Sequence, residues 1–400
     1  METASLPSLL LDGPRRIFCE APLTEKQGER IWKLASSRLS VREDEGVNDL
    51  AAAMDKAPEI VAVGVVDTED RPVGLVLRQE LFDQLGKPYG RDYFKRKPVS
   101  ALMRQARSFH EDLNIFAVAD TVREELRRTD DTWYLLVDGG GKYSGVFSTK
   151  NLLIYLSDTT ARDIMLARRL QTAIVRENLS MEDPRCTIVC SSKMAKEVGG
   201  DFYLVKRLDD SRTLVGLCDV SGKGIAASLV TAVLGGIFDT YTRESSLREF
   251  LTKVNLYLVE TFQLEYFVTG VFLELDQATR TATFSDMGHS YVVVMEGGKL
   301  FRLSPKAANP PLGVSAALTP AIGTYQFRPG SMALLFTDGI VEQTNREGLE
   351  YSQARLYRLL KSHRDLSPSD LKDALSSDFE TFRGDQPQGD DLTFVILKYS

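Results

Sequence analysis

Five aspartates stand beside glycines or at the ends of apolar runs, and they are where this chain offers chemistry. Asp201 follows Gly199-Gly200. Asp219 closes the run Leu214 to Cys218 and leads into the small-residue turn Ser221-Gly222-Lys223-Gly224. Asp338-Gly339 closes the run Met332 to Thr337, and Asp390-Asp391 opens the run Leu392 to Leu397. A carboxylate at the end of a buried strand is costly unless a cation or strong donors pair it. Glycines beside such carboxylates let the backbone approach, so the set suggests a site for a hard cation. With no His or Cys among these residues, Mg²⁺ or Mn²⁺ suits the donors better than zinc. One Asp-Gly alone is ordinary turn chemistry; its recurrence at strand ends is not.

Other readings of the central stretch fail on spacing. A phosphate-binding P-loop needs Gly five residues before Gly222-Lys223 and Ser or Thr after it. Leu217 and Gly224 stand there instead. A nucleophile elbow at Ser221 needs glycine two residues to either side, where this chain has Asp219 and Lys223.

The aspartates need strands to hold them, and further strand-like runs occur at Thr187–Cys190, Phe267–Leu275 and Tyr291–Met295. Helical patterns separate the runs. Gly224 to Phe238 is rich in small apolar residues, with Gly235-Gly236 implying close packing or a bend. Ser246-Leu247-Arg248-Glu249 reads as a capping box, and Leu247, Phe250, Leu251, Val254, Leu258 and Phe262 form the apolar face behind it. Ser367-Pro368-Ser369-Asp370 starts the last helix, with Pro at its first position.

Upstream lies an internal repeat. GVVDTEDRPVGLVLRQEL aligns with LLVDGGGKYSGVFSTKNLL, placing Asp67 and Asp138, Gly74 and Gly145, and Leu81 and Leu152 each 71 residues apart. Each copy reads as strand, polar turn, strand and a helix beginning at Arg78 or Thr149. Gly139-Gly140-Gly141 lacks the dinucleotide-binding spacing and precedes a strand. A helix over Ser157 to Leu179 joins the two halves, its narrow stripe of Ile164, Ala167, Leu170 and Ile174 suited to a short coiled-coil seam or to docking on its own domain. A helix over Thr24 to Leu39 is also expected, without a function.

Composition narrows the classes. Four hundred residues suit two or three domains. A net charge of −7 argues against nucleic acid as the main partner. No apolar run approaches the length of a membrane span, and the first residues lack the basic start of a secretory signal. Cys19, Cys186, Cys190 and Cys218 form no CxxC pair, which fits idle thiols of a reducing cytoplasm.

EVGGDFY, GLCDVSGKGIAAS, Thr337-Asp338-Gly339 and Gly389-Asp390-Asp391-Leu392-Thr393, in this order, resemble the bacterial metal-dependent (PPM-type) serine/threonine phosphatases of the SpoIIE/RsbU class. Gly288-His289, Pro311-Leu312-Gly313 and Leu170-Gln171 agree, and the match runs from about Ile164 to Ser400. The resemblance implies an αββα sandwich over residues 186–400, within a chain of α/β (α+β) class. It implies two Mn²⁺ or Mg²⁺ ions held by Asp201, Asp219, the Val220 carbonyl, Asp338 and Asp390, with Asp391 in the same set or outside it. It implies hydrolysis of phosphoserine or phosphothreonine by a water that the metal pair activates, on a signalling protein of the anti-sigma-factor-antagonist type. Asp201 and Asp219 are the residues expected to carry catalysis.

Two departures from the wider family matter. Ser221 stands where eukaryotic relatives carry a candidate acid His, and Leu204 stands where many relatives have Asp. His289 is read as structural. No Arg is assigned to the substrate phosphate; Lys193, Lys196 and Lys223 are the nearby cations. The repeat over 41–156 resembles a pair of CBS (cystathionine-β-synthase) motifs, which implies an adenine nucleotide or other small effector, or else a dimerisation platform. The expected organisation is a segment of unknown role at 1–40, the CBS-like pair at 41–156, a coupling helix at 157–185 and the phosphatase domain at 186–400, as a cytoplasmic homodimer. The alternatives are a non-catalytic phosphoprotein-binding pseudophosphatase, and a nucleotide sensor with phosphatase output.

Overall fold

The computed structural model describes residues 17–22 and 28–400, in two compact units, Met1–Ala161 and Arg162–Ser400. Most of the expected N-terminal segment of unknown role, and the start of its helix at Thr24, lie outside the described residues.

The first unit is built from the repeat. Its strands are β1 (Cys19–Glu20), β2 (Leu39–Arg42), β3 (Ala62–Val66), β4 (Pro72–Leu77), β5 (Ser108–His110), β6 (Trp133–Val137) and β7 (Tyr143–Ser148). Its helices are α1 (Val47–Lys56), α2 (Arg78–Gly86), α3 (Gly90–Phe94), α4 (Ile115–Thr121), α5 (Arg123–Leu126) and the start of α6 (Thr149–Ile174). One sheet runs β1-β2-β3-β4 and the other β5-β6-β7. In each, the first strand of the repeat lies parallel to the second, and the second antiparallel to the third.

The equivalence reaches single hydrogen bonds. The ladder slips at Val65/Val66 in one copy and at Leu136/Val137 in the other. Asp67 Oδ1 accepts the amides of Glu69 and Arg71 at 2.8 and 2.9 Å. Asp138 Oδ1 accepts those of Gly140 and Lys142 at 2.9 Å each. These two aspartates are therefore turn residues that cap the hairpin's loose amides. The copies also interlock: Leu75 of the first bridges to Arg104, and Val146 of the second bridges to Ser37. That bridge explains why the helix expected to Leu39 is only a 3₁₀ turn, Ile31–Leu34. Ser36 donates to the Val146 carbonyl and Val146 to that of Ser37, so the backbone is spent on a strand neighbour.

The second unit contains β8 (Asn178–Glu182), β9 (Cys186–Lys193), β10 (Asp201–Arg207), β11 (Arg212–Val220), β12 (Val268–Asp276), β13 (Thr281–Met287), β14 (Val292–Glu296), β15 (Lys299–Arg302), β16 (Gly323–Gln326), β17 (Met332–Phe336) and β18 (Leu392–Tyr399). Its helices are the end of α6, α7 (Ile225–Asp239), α8 (Leu247–Phe262), α9 (Asp338–Val341), α10 (Ser352–Ser362) and α11 (Pro368–Arg383). Two antiparallel sheets result, β10-β11-β12-β13-β16 and β15-β14-β17-β18-β9-β8.

Alternation explains the layering. In β17, Ala333 and Leu335 join the core shared with the other sheet, while Met332, Leu334 and Phe336 join the core under α10 and α11. A strand covered on both faces has no polar side to show, so it reads as one apolar run. On the other side Phe238 of α7 stacks on Phe202 of β10 and Phe272 of β12.

Two expectations need correction. Ser246 is the N-cap of α8 but makes no side-chain capping bond. The connecting helix is Thr149–Ile174 rather than Ser157–Leu179; its last expected residues enter β8, where Leu179 and Met181 alternate inward against the core. Of its stripe, Leu170 and Ile174 are 59% and 40% exposed in the single chain, while Gln171 and Val175 turn inward.

Candidate metal centre

Register brings the aspartates together. Asp201 opens β10 and Asp219 stands near the end of β11 as its direct cross-strand partner, so both side chains share one face. Like charges directly opposite on a sheet repel. Asp338 opens α9 just after β17, and Asp390-Asp391 just precede β18, the neighbour of β17. Thr337 ties the two sheets: its Oγ1 donates to Asp201 Oδ2 at 2.8 Å and accepts the Thr393 amide at 3.1 Å. Asp391 holds the glycine loop. Its Oδ1 accepts the Ala195 amide at 2.8 Å and its Oδ2 the Gly200 amide at 2.7 Å. A Cβ on Gly199 would lie 2.1 Å from that carboxylate, so only glycine fits. The Val220 carbonyl faces the loop too, 2.9 Å from where a Cβ on Gly200 would be.

The charges are badly compensated. Burial raises the Asp201 pKa well above the carboxylate range, Asp219 and Asp391 raise it further, and Thr393 and Thr337 only moderate the rise. Asp219 is pushed up to about 7, by burial first and then by Asp338, Asp390 and Asp391. Burial, then Asp390, raises Asp338. Among the described residues no group of three or more His, Cys, Asp or Glu side chains is drawn tightly enough to hold an ion as it stands. Asp391 and Asp390 already have other partners.

Several neighbours have structural roles. His289 is 5% exposed; its Nε2 lies 2.9 Å from the Phe336 carbonyl and its Nδ1 3.1 Å from Thr269 Oγ1. The carbonyl can only accept, so Nε2 carries the proton and Nδ1 takes the threonine's. Ser221 Oγ accepts the Phe267 amide at 2.9 Å. Lys193 pairs with Glu380 at 2.7 Å, away from the aspartates, whereas Lys223 reaches Asp390 at 2.7 Å.

Sequence reasoning gave no role to Thr337, Thr393 or Gln171. Gln171, on α6, is 2% exposed. Its Nε2 donates to the Gly199 carbonyl at 2.7 Å and to Thr231 Oγ1 at 3.2 Å, and its Oε1 accepts the Gly199 amide at 3.1 Å. The only sequence signal was the place of Leu170-Gln171 in the resemblance, which assigned the glutamine no contact.

Comparison with known proteins shows what the second unit is similar to. Residues 209–400 match the family model described as Stage II sporulation protein E (SpoIIE). The chain is 24% identical over 243 residues to phosphoserine phosphatase RsbP of Bacillus subtilis, covering 60% of this chain. The match spans 58% of that protein's length. The SiaA-PP2C domain of Pseudomonas aeruginosa is similar in fold, with a TM-score of 0.52 and 19% identity, over 61% of this chain and 99% of that domain.

Proposed function

We propose, from the premise that residues 209–400 carry a SpoIIE-type phosphatase domain, that this chain is a divalent-metal-dependent protein serine/threonine phosphatase. The observation that carries the reading is the direct pairing of Asp201 with Asp219 beside Asp338, Asp390 and Asp391, with a single lysine against them.

The residues fit divalent ions. Every side-chain donor is a hard oxygen, and no described residue donates a hydrogen bond to the Asp219 carboxylate. Asp201, Asp219 and the Val220 carbonyl would hold one side of the ion pair, and Asp338 and Asp390 the other. Asp391, engaged by two amides, would position the loop and lend a lone pair. Bound divalent ions supply an activated water and a screen for the phosphoryl charge. The chain does the rest: Thr337 fixes the Asp201 carboxylate, Asp391 fixes Gly200, and the surrounding strands bury Asp201 and partly bury Asp219. His289, enclosed and neutral, keeps the strand ends in place.

The substrate is a phosphoserine or phosphothreonine on a signalling protein, of the anti-sigma-factor-antagonist type. The matched relative's name, a phosphoserine phosphatase, supports this class. A pseudophosphatase would have lost a metal aspartate, and all five stand here. The interlocked repeat supports a CBS-like effector module, with an adenine nucleotide as first ligand to test. The exposed Leu170 supports pairing of α6 across a homodimer. No helix among the described residues is long and apolar enough to cross a membrane.

The test is phosphate release from a phosphoserine peptide with Mn²⁺, Mg²⁺ or EDTA, with and without ATP or AMP. Turnover is expected with either ion and none with EDTA. Hydrolysis indifferent to EDTA, or absent under every condition, overturns the reading.

A further inference from the structure

Among the described residues, Lys223 is the one cation whose side chain reaches an aspartate of the centre. Its Nζ lies 2.7 Å from Asp390 Oδ2 and 3.4 Å from the Gly389 carbonyl. No described arginine bonds to Asp201, Asp219, Asp338, Asp390 or Asp391, and Lys196 makes no ion pair. The position of Lys223 is built into the backbone: Gly222 and Gly224 on either side have φ of +89° and +83°, a turn that carries the chain from Asp219 into α7. Both partners are half exposed, at 54% and 44%. An ion pair in such a setting is weak and easily exchanged.

Asp390 cannot serve two cations equally. A divalent ion at its carboxylate repels the ammonium from the same oxygens. The lysine stem is flexible and its head is a compact charge suited to phosphoryl oxygens. The nearest new anion at the rim of a loaded centre is the substrate's phosphoryl dianion. We propose that Lys223 is an exchangeable cation of this centre: it neutralises Asp390 while the metal is absent and moves to the substrate phosphoryl group once a divalent ion takes that carboxylate. This deepens the phosphatase reading and rests on it.

The two halves of the proposal predict opposite effects from one substitution. Lys223→Met removes the competitor, so calorimetry with Mn²⁺ alone should show binding tightened by about two- to fivefold, the scale of a partly exposed ion pair. The same variant should raise the KM for a phosphoserine peptide by roughly ten- to a hundredfold, the scale of a charge-assisted hydrogen bond. Inhibition by inorganic phosphate should weaken alongside. Lys223→Arg keeps the charge and should recover most of the KM; it is also the fallback should the methionine variant not fold. Weaker Mn²⁺ binding in Lys223→Met would overturn the proposal, because the lysine would then be a prop of the metal site. Tighter Mn²⁺ binding with an unchanged KM would overturn it too, leaving a counter-ion and nothing more. If the wild type hydrolyses nothing, the phosphatase reading fails separately, and the Mn²⁺ titration still decides the competitor half.

Discussion

Removing one charge from the Asp201–Asp219 pair should stabilise the metal-free protein while destroying its function. Asp219 is held from 3.8 up to about 7, so between those values the folded state binds more protons than the unfolded state. Stability therefore falls as pH rises through that window. The rise corresponds to on the order of 4 kcal/mol at ~1.4 kcal/mol per pH unit. Part of that repulsion is shared with Asp201, and an amide in the same place is still partly desolvated, so a net gain of about 1–3 kcal/mol is reasonable for Asp219→Asn at pH 7.5. For a unit of this size that is a rise of about 3–10 °C in Tm.

The assay is thermal melting of the full chain in EDTA at pH 4 and 7.5, then with Mn²⁺. The transition that Mn²⁺ moves in the wild type identifies the second unit. Asp219→Asn should melt higher than wild type in EDTA at pH 7.5, equal it at pH 4, gain little from Mn²⁺ and show no turnover. An unchanged or lower Tm at pH 7.5, or the same gain at pH 4, would refute the argument that this pair is uncompensated charge.

Thr337→Val leaves the buried Thr393 amide without its acceptor and Asp201 without its donor; a loss of about 1–3 kcal/mol in denaturant titration is expected, with Thr337→Ser restoring most of it. Burial depresses the His289 pKa, so the unfolded chain binds the extra proton and the wild type loses stability as pH falls below about 6.5; His289→Asn should lessen that loss, measured by urea midpoints between pH 5 and 8. Leu166 and Leu170 are 57% and 59% exposed, whereas Ile174 meets Gly235 of α7. Leu166→Asp with Leu170→Asp should therefore turn a dimer into a monomer by light scattering without unfolding it, and a mass unchanged from wild type would make the helix a spacer.

How much the sequence revealed follows from what each element asks of it. Met332–Phe336 was legible to within one residue, because a strand covered on both faces must be apolar throughout. The repeat was legible down to Asp67 and Asp138, because a tight hairpin turn requires its capping carboxylate locally. Strand β10 was not read: Phe202 to Arg207 mixes aromatic and charged residues, and only pairing with β11 makes it a strand. The aspartates could be found one by one, yet that Asp201 and Asp219 face each other is a matter of register, which no local pattern contains. Thr337 and Gln171 were harder still. A threonine after an apolar run and a glutamine in a helix look like ordinary surface residues, and only tertiary packing shows them buried and bonded.

Gln171 changes how the connecting helix relates to the centre. Both ends of the Gln171 amide are bonded to Gly199, and the next amide, Gly200, is bonded to Asp391. Hydrogen bonds weaken steeply beyond their narrow range of distance and angle, so sliding the helix by an ångström cannot leave all three intact. Gly199 has no side chain to absorb the movement, and a larger residue there is barred by the Asp391 carboxylate itself. The same helix carries Met165, Leu166 and Leu170, each more than half exposed, on positions that Gln171 does not use. One set of positions is thus bonded to the glycine loop beside the aspartates while the other is exposed, so a displacement of this helix would strain the Gly199 and Gly200 bonds first.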